Sequence, residues 1–327
     1  MSKLHIGIIG LGAVGERLIK AFEQRDDIVL AAFCDTSKER LTEMASIYDV
    51  DQMYTNYEDL LKNNMIDAVY IAVPPKFHEQ IVLDTIKANK HILCEKPLAN
   101  SVEEARNMLA AVRKSSNLIH AMHFPLNYQA SLIHFEKLIK EGFIGDLRRI
   151  NVKLHFPHWP RLWQQNEWVA SREQGGFILE VGVHWIQVIQ RVFGKVVAVR
   201  SRLQFPEDPE ACETSIVAEM KLEDGTVILV DGISNISGEE HLEFAAYGTN
   251  STLKLINWRD LVGGENGKSL TSLDDLNIVP KSLIDEFVNS IQGYDAELYG
   301  FNVGYEAQIV LEALRYPEHD GWQELKY

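Results

Sequence analysis

The sequence has little cysteine and a shortage of positive charge, and each shortage excludes a class of protein. Its 327 residues include three cysteines, Cys34, Cys94 and Cys212, which lie far apart and form no CxxC pair. An odd number of cysteines scattered along the chain is typical of a protein in a reducing compartment, and not of a protein held together by disulfides. Lys and Arg number 32 against 47 Asp and Glu, so the net charge is −15. Nucleic acids and anionic membranes select basic faces, so we expect neither as a partner.

Long apolar runs and the common catalytic signatures are missing as well. No stretch approaches the ~18 apolar residues of a membrane span, and the apolar run after Lys3 is short and broken by His5, unlike a secretion signal. We therefore expect a soluble, cytoplasmic protein. The histidines lack a metal-site spacing with a carboxylate partner, so we predict no metal. The sequence contains no GxSxG elbow and no neighbouring Cys and His, so nucleophilic catalysis has no support.

The first third of the chain alternates apolar runs with amphipathic segments, which predicts a doubly wound parallel sheet with helices on both faces. The predicted strands are Leu4–Ile9, Ile28–Cys34, a short one near Met53, Ala68–Val73, His91–Cys94 and Leu118–Met122. The predicted helices are Glu16–Arg25, a segment opened by a Thr36/Glu39 capping box and running to about Tyr48, Glu58–Asn63, Phe77–Ala88 and Val102–Lys114.

The pattern changes after about residue 123, where strand-like segments follow one another with turns between them. The predicted strands are Leu147–Phe156, Val196–Phe205, Ser215–Leu222, Thr226–Ser234, Glu240–Tyr247 and Thr252–Leu255, with a hairpin at Glu223-Asp224-Gly225. The predicted helices are Ser131–Glu141, Gly175–Phe193, Ser282–Gln292 and Asn302–Arg315. We therefore predict an α/β protein of two domains, a parallel sheet over residues 1–122 and an α+β domain with a mainly antiparallel sheet over residues 123–327.

A glycine motif connects the first strand to the first helix. Gly10-Leu11-Gly12-Ala13-Val14-Gly15 matches GxGxxG, which allows a tight turn, a close approach of backbone to a pyrophosphate and close helix–strand packing. The N–H groups at the start of the helix, including those of Ala13 and Val14, suit the phosphates. Because strand, turn and helix all agree, we predict a dinucleotide site rather than a glycine-rich turn of another α/β protein.

The end of the second strand indicates which dinucleotide binds. Asp35 lies twenty residues after Gly15, where a carboxylate accepts hydrogen bonds from the adenosine ribose hydroxyls and repels a 2′-phosphate. This favours NAD. Arg40, five residues further on, leaves NADP open, although an arginine in the first turn of a helix is more often simply solvated.

Other chemically useful residues follow the ends of later predicted strands. Pro74 follows one strand and precedes His78, while Glu95 and Lys96 follow the next. Ligands of an open parallel sheet bind at the carboxyl ends of its strands, so we expect these residues on the coenzyme edge with Asp35. An equally good interpretation of His78 is a core histidine whose hydrogen bonds are made within the protein.

Two further segments are candidates for substrate chemistry. Glu180 and His184 lie four residues apart in the predicted helix, where a carboxylate can orient an imidazole as a general base, or the pair can be a structural hydrogen bond. Upstream, an aromatic and basic segment includes Arg161 and Trp163, which could line a substrate pocket or pack an interface.

Together these segments resemble the Gfo/Idh/MocA family of nicotinamide oxidoreductases. The resemblance covers roughly residues 3–200 and is carried by GLGAVG after a strand, the Pro74 to His78 segment, HILCEKPLA and GGFILEVGVH. It implies a Rossmann domain, a C-terminal domain whose open sheet often forms a homo-oligomer (dimer or tetramer), and sugar, cyclitol or polyol substrates. It also implies a lysine beside nicotinamide and substrate at Lys96, and the family's Asp-xxx-His pair at Glu180 and His184.

Two positions depart from the family pattern. Glutamate stands at position 180 where aspartate is usual, and Ala121-Met122-His123-Phe124-Pro125 lacks the arginine of a Tyr-Arg-Phe-like run. The main hypothesis is hydride transfer at a secondary alcohol, with His184 as base and Lys96 stabilising the alkoxide. Two alternatives are an NAD-dependent hydrolase of glycosidic bonds with transient hydride transfer, and a non-catalytic NAD-binding protein.

Overall fold

A six-stranded parallel sheet forms the first part of the computed structural model, which describes residues 3–115 and 117–327. The strands are β1 (Leu4–Ile9), β2 (Ile28–Cys34), β3 (Met53–Tyr54), β4 (Ala68–Ile71), β5 (His91–Cys94) and β6 (His120–Met122). The helices between them are α1 (Ala13–Glu23), α2 (Lys38–Tyr48), α3 (Tyr57–Leu61), α4 (His78–Lys87) and α5 (Val102–Arg113). The strand order β3-β2-β1-β4-β5-β6 is that of a Rossmann domain, which confirms the predicted fold class.

Burial explains why these strands are continuous apolar runs. Every residue of β4 is buried, and the pairings of β4 with β1 and β5 are parallel. A central strand covered on both faces cannot alternate polar and apolar residues, so it consists of apolar side chains throughout.

Helix α2 begins one residue later than the predicted capping box requires. Ser37, not Thr36, is its N-cap, and the Ser37 hydroxyl accepts the backbone N–H of Arg40. The Thr36/Glu39 pairing is therefore wrong in register. Thr36 and Ser37 are both good capping residues, so the sequence could not choose between them.

The second half of the chain forms a nine-stranded sheet with helices on one face. Its first helices are α6 (Ala130–Lys140), α7 (Glu167–Ala170) and α8 (Val183–Phe193). Its strands are β7 (Leu147–Phe156), β8 (Val196–Gln204), β9 (Ser215–Leu222), β10 (Val227–Ser234), β11 (His241–Gly248), β12 (Ser251–Ile256), β13 (Asp260–Glu265) and β14 (Thr271–Ser272). The chain ends with α9 (Leu283–Ile291), α10 (Phe301–Arg315) and β15 (Gln323–Glu324).

This second sheet is mainly antiparallel, as predicted. Its order is β14-β13-β12-β11-β7-β10-β9-β8-β15, and among the strands described β10 and β7 form the parallel pair. The predicted hairpin is confirmed, because β9 and β10 pair antiparallel across a turn in which Gly225 has φ +87°. On the inner face, Trp185 of α8 stacks on Phe244 of β11 with ring centroids 5.3 Å apart.

The chain divides into two compact units. One consists of the chain up to Phe124 together with Ser282–Tyr305, and the other of Pro125–Lys281 with Glu306–Tyr327. Segment Ser282–Tyr305 therefore packs with the parallel sheet although it comes late in the sequence. For example, the Met122 N–H at the end of β6 donates to the Tyr299 carbonyl at 2.7 Å. Within the described residues, no helix is long and apolar enough to cross a membrane.

A helix cap in the first unit gives a stability prediction. Ser101 is the N-cap of α5, and its hydroxyl accepts the Glu104 N–H at 3.2 Å. Ser101→Ala leaves that N–H without its cap, so we expect the free energy of unfolding to fall by about 1 kcal/mol. Chemical denaturation measures the change, with the exposed Ser269→Ala as the matched control. Equal stability of the two variants would contradict the cap.

Candidate active site

The turn between β1 and α1 is built by three glycines with different roles. Gly10 has φ +95°, and a Cβ there would lie 2.5 Å from the Ala72 carbonyl oxygen. A Cβ on Gly15 would lie 2.3 Å from the Gly10 carbonyl oxygen, so both residues are required by the packing of the protein itself. Gly12, the N-cap of α1, differs because a Cβ there would meet nothing within 4 Å.

The open space at Gly12 fits the pyrophosphate of a dinucleotide. The space lies at the N-terminus of α1, where the first N–H groups of a helix have no partner inside the helix. Ala13 is exposed and Val14 is half-buried at this terminus. The predicted residues of the motif are therefore arranged as an anion site of the kind that dinucleotide-binding folds use.

Asp35 links the end of β2 to this turn. One of its carboxylate oxygens accepts the Leu11 N–H and the other accepts the Ser37 N–H, each at 2.9 Å. The carboxylate is thus held beside the glycine turn, where an adenosine ribose is bound in Rossmann domains.

Arg40 is committed to partners within the protein. Its Nε donates to the Leu11 carbonyl at 2.8 Å, and its two terminal nitrogens contact Glu43 and Glu16 at 2.8 and 2.7 Å. Burial would lower the pKa of Arg40, but these two carboxylates outweigh it and raise that pKa. Its charge is compensated by acids, which makes it a poor partner for a 2′-phosphate.

The loop after β4 is fixed by a buried histidine. Pro74 precedes a short 3₁₀ turn, and His78 follows it at the start of α4. The His78 Nδ1 lies 3.0 Å from the Pro97 carbonyl oxygen, and its Nε2 lies 2.9 Å from the Val73 carbonyl oxygen. Burial lowers the pKa of His78. The imidazole therefore joins the loops after β4 and β5.

Lys96 follows a buried carboxylate that holds two side chains together. The Glu95 Oε1 accepts the Tyr70 hydroxyl at 2.5 Å and lies 2.5 Å from the His123 Nδ1. Its Oε2 accepts the Lys96 N–H at 3.3 Å. Burial would raise the pKa of Glu95, but His123, Lys96 and Tyr70 outweigh it and hold that pKa below its ordinary value. This cluster and His78 fix both ends of the half-buried Lys96 segment.

The sequence reveals only part of this cluster. Glu95 and His123 are each the first residue after neighbouring strands, and the Cys94–Met122 register of β5 and β6 places them side by side. Position after a strand is the signal that could have found His123. Tyr70 lies inside β4 and reads as a core residue, so no local pattern marks it.

In the second unit, Glu180 and His184 lie on a helical segment that is not a regular α-helix. Residues Ile178–Gly182 form a π-helical turn, and α8 continues from Val183. The buried Glu180 accepts the Gln164 side-chain amide at 2.7 Å. Sequence reasoning did not select Gln164, because nothing near it in sequence indicates this contact.

His184 has an aromatic neighbour that the sequence also did not reveal. Its ring meets the Trp258 indole at 5.6 Å between centroids, with an interplanar angle of 85°. Trp258 lies in the turn between β12 and β13 with φ +71°, and its carbonyl accepts the Ser131 hydroxyl at 3.1 Å. The edge-to-face contact limits the orientations open to the imidazole.

Arg161 is paired with an acid, while Trp163 is largely exposed. The Arg161 guanidinium contacts the Glu240 carboxylate with two hydrogen bonds of 2.8 and 2.9 Å. Its charge is therefore satisfied within the second unit. Trp163 is 45% exposed, and its ring centroid lies 6.0 Å from the Arg161 Cζ.

Within the described residues, no group of three or more His, Cys, Asp and Glu side chains is arranged to hold a metal ion.

Comparison with protein families gives two matches. Residues 4–123 match the model of an oxidoreductase family with an NAD-binding Rossmann fold, described as GFO/IDH/MocA. Residues 133–254 match the model of the GFO/IDH/MocA C-terminal domain.

Individual relatives are distant but cover much of the chain. An uncharacterized oxidoreductase of Bacillus subtilis, YrbE, is 24% identical over 275 residues, which is 81% of this chain and 74% of the relative. Myo-inositol 2-dehydrogenase of Thermotoga maritima is 25% identical over 59% of this chain and 56% of its own length. A levoglucosan dehydrogenase in complex with NADH and levoglucosan has a TM-score of 0.85 at 19% identity, over 100% of both chains.

The Asp35 carboxylate gives a prediction about coenzyme choice. Asp35→Asn removes the charge that favours ribose hydroxyls over a 2′-phosphate, so we expect the preference for NADH over NADPH to fall about tenfold. Fluorescence titration with each coenzyme measures the two dissociation constants, and the exposed Asp51→Asn is the control. If the ratio of the dissociation constants for NADH and NADPH is unchanged in Asp35→Asn, Asp35 does not select the coenzyme.

The Glu95 cluster gives a prediction about acid stability. Because its folded-state pKa is lowered, Glu95 stabilises the protein above the pKa of the unfolded state, and this stabilisation is lost as pH falls through the folded-state pKa. Glu95→Gln should therefore cost about 3 kcal/mol near pH 7, with a difference from wild type that shrinks below about pH 4. Urea unfolding between about pH 4 and pH 7 measures the free energy of unfolding of each variant, with the exposed Glu141→Gln as the control. If the free energy of unfolding depends on pH in the same way in wild type and in Glu95→Gln, the prediction is wrong.

Proposed function

The chain belongs to the Gfo/Idh/MocA family of NAD(P)-dependent oxidoreductases, and from this we propose that it transfers a hydride between NAD and a secondary alcohol or ketone of an uncharged sugar, cyclitol or related polyol. The observation that carries the proposal is the position of Lys96. It lies two residues after the end of β5 in a segment fixed by Glu95 and His78, on the sheet whose β1 and β2 ends carry the glycine turn and Asp35.

The first unit binds the coenzyme in this proposal. The N–H groups at the start of α1 hold the pyrophosphate, and Asp35 accepts the adenosine ribose hydroxyls. NAD rather than NADP is favoured because Arg40 is already paired with Glu16 and Glu43. When bound, the nicotinamide supplies the hydride acceptor, and the protein provides position and electrostatics.

The proton chemistry falls to Lys96 and His184. His184 removes the hydroxyl proton of the substrate, and Glu180 stabilises the imidazolium that results. Gln164 orients Glu180 through the 2.7 Å hydrogen bond. Lys96 donates a hydrogen bond to a substrate oxygen and stabilises its developing negative charge. Deprotonation and hydride loss together convert the alcohol to a ketone, and the reverse sequence reduces it.

The charges in the second unit support an uncharged substrate. Arg161 is a candidate for lining a substrate pocket, where an arginine can bind a carboxylate or phosphate, but its guanidinium is held by both oxygens of Glu240. A substrate anion would have to compete with this bidentate pair. We therefore favour uncharged polyols, a class that includes the inositol and levoglucosan in the names of similar proteins.

A second candidate function involves no net oxidation. One relative, 2,7-anhydro-N-acetylneuraminate hydratase of Escherichia coli, is 25% identical over 59% of this chain and 50% of its own length, and its name denotes addition or removal of water. The alternative of an NAD-dependent hydrolase of glycosidic bonds likewise involves no net oxidation, because its transient hydride transfer returns the hydride to the substrate. Such an enzyme turns over without accumulating NADH. The absorbance of NADH during turnover distinguishes the two functions.

We also propose that the protein is a homo-oligomer, a dimer or a tetramer, in the cytoplasm. The homo-oligomer is supported by the face of the nine-stranded sheet opposite α8. The apolar side chain of Val217 on β9 is 65% exposed on this face. Light scattering coupled to size-exclusion chromatography measures the mass in solution, and a monomer would contradict the proposal.

Substitution of the two proposed catalytic residues tests the function. We expect Lys96→Ala and His184→Ala each to lower kcat by at least about 100-fold, because each removes a group that acts on the reacting oxygen. The dissociation constant of NADH should change little. Assays with myo-inositol, levoglucosan and their keto forms measure turnover, and the exposed Lys62→Ala and His319→Ala are the controls. Wild-type turnover in either catalytic variant would eliminate that residue's role.

A further inference from the structure

A buried carboxylate that the proposed chemistry does not use lies at the start of the helical segment carrying Glu180 and His184. Glu213 is 3% exposed and comes two residues before β9. Its Oε1 accepts the Ile178 N–H at 2.9 Å, and Ile178 is the first residue of the π-helical turn. The carboxylate thus satisfies an N–H group that a helix start otherwise leaves without a partner.

The double glycine of the sequence motif makes room for this contact. Gly176 has φ +97°, and a Cβ there would lie 2.2 Å from a Glu213 carboxylate oxygen. A Cβ on Gly175 would lie 2.3 Å from the carbonyl oxygens of Trp168 and Val169. Gly175 therefore allows the close approach of another stretch of backbone, whereas Gly176 accommodates a side-chain carboxylate.

Arg315 supports the same turn from α10. Its Nη2 donates to the Arg172 carbonyl at 2.7 Å and to the Gly175 carbonyl at 3.2 Å. Burial raises the pKa of Glu213, and the Ile178 N–H and the Arg315 charge act in the opposite direction. An acid on one side and a cation on the other therefore hold the turn that precedes the helical segment.

The π-helical turn makes the orientation of the catalytic pair depend on this anchor. A π-turn inserts one residue relative to an α-helix, and π-turns are frequent at functional sites. Each residue of an α-helix rotates by about 100° around the axis. Glu180 lies inside the π-turn and His184 after it, so relaxation of the turn to α-helical register would rotate one relative to the other.

We infer that Glu213 is a positioning residue, whose carboxylate fixes the start of the π-turn and thereby the placement of Glu180 and His184. Glu213 acts on Glu180 and His184 indirectly, through its hydrogen bond to the Ile178 backbone. The inference rests on the proposed function only in assigning His184 a catalytic role. The placement itself can be measured without any substrate.

Nuclear magnetic resonance of the histidine rings measures that placement. The His184 resonance is assigned by its loss in His184→Ala, and the Trp258 indole beside it makes its chemical shift sensitive to small movements. We expect Glu213→Ala and Glu213→Gln to move the His184 resonance. Alanine removes the acceptor, and glutamine has a single acceptor oxygen for the backbone N–H groups of Phe177 and Ile178, which both hydrogen-bond the carboxylate. The exposed Glu210→Gln, three residues away, should leave it unchanged.

Gly176→Ala provides an independent variant should Glu213→Ala fail to fold. Its Cβ pushes against the Glu213 carboxylate, so it should move the same resonance while Glu213 itself is retained. With myo-inositol or levoglucosan as substrate, we expect kcat of Glu213→Gln to fall between about 10- and 100-fold. The KM for NAD should stay constant, since the coenzyme residues belong to the first unit.

The two proposals fail in different ways. Wild-type turnover in His184→Ala contradicts the proposed function, whatever Glu213 does. If His184→Ala loses turnover while the His184 resonance is identical in wild type, Glu213→Gln and Gly176→Ala, the positioning role is wrong and the proposed function stands. A moved resonance in both variants, with Glu210→Gln unchanged, supports the positioning role.

Discussion

The parallel register of the first sheet is the constraint on which the rest of the candidate site depends. Parallel strands end at the same edge, so residues far apart in sequence come together without any long-range signal between them. The glycine turn, Asp35, Glu95 and His123 each lie immediately after a strand of this sheet. The glycine turn, Asp35 and the Lys96 segment therefore share one edge of the sheet.

Two buried carboxylates organise the elements that carry the proposed chemistry. Glu95 joins Tyr70 and His123 at the base of the Lys96 segment, and Glu213 holds the start of the segment that carries His184. Burial of an acid is costly unless hydrogen bonds and opposite charges compensate it. Both acids have such partners, so each provides a rigid point of attachment rather than a reactive group.

Local patterns predicted the fold well, and also the position of the glycine turn and Asp35 at strand ends, because each signal there lies within a few residues. The GLGAVG turn, the strand before it and Asp35 are examples. Local patterns could not predict contacts between segments that are far apart in the sequence. Such contacts join Gln164 to Glu180, Trp258 to His184 and Glu240 to Arg161. Short edge strands such as β14, with two residues, carry too little pattern to be detected.

A crystal structure of the protein with NADH bound tests most directly the central claim that a dinucleotide lies along the carboxyl edge of the parallel sheet. We expect the pyrophosphate within hydrogen-bond distance of the Ala13 and Val14 N–H groups, and a ribose hydroxyl on Asp35. NADH bound at another surface, with neither the glycine turn nor Asp35 in contact with it, would contradict the claim.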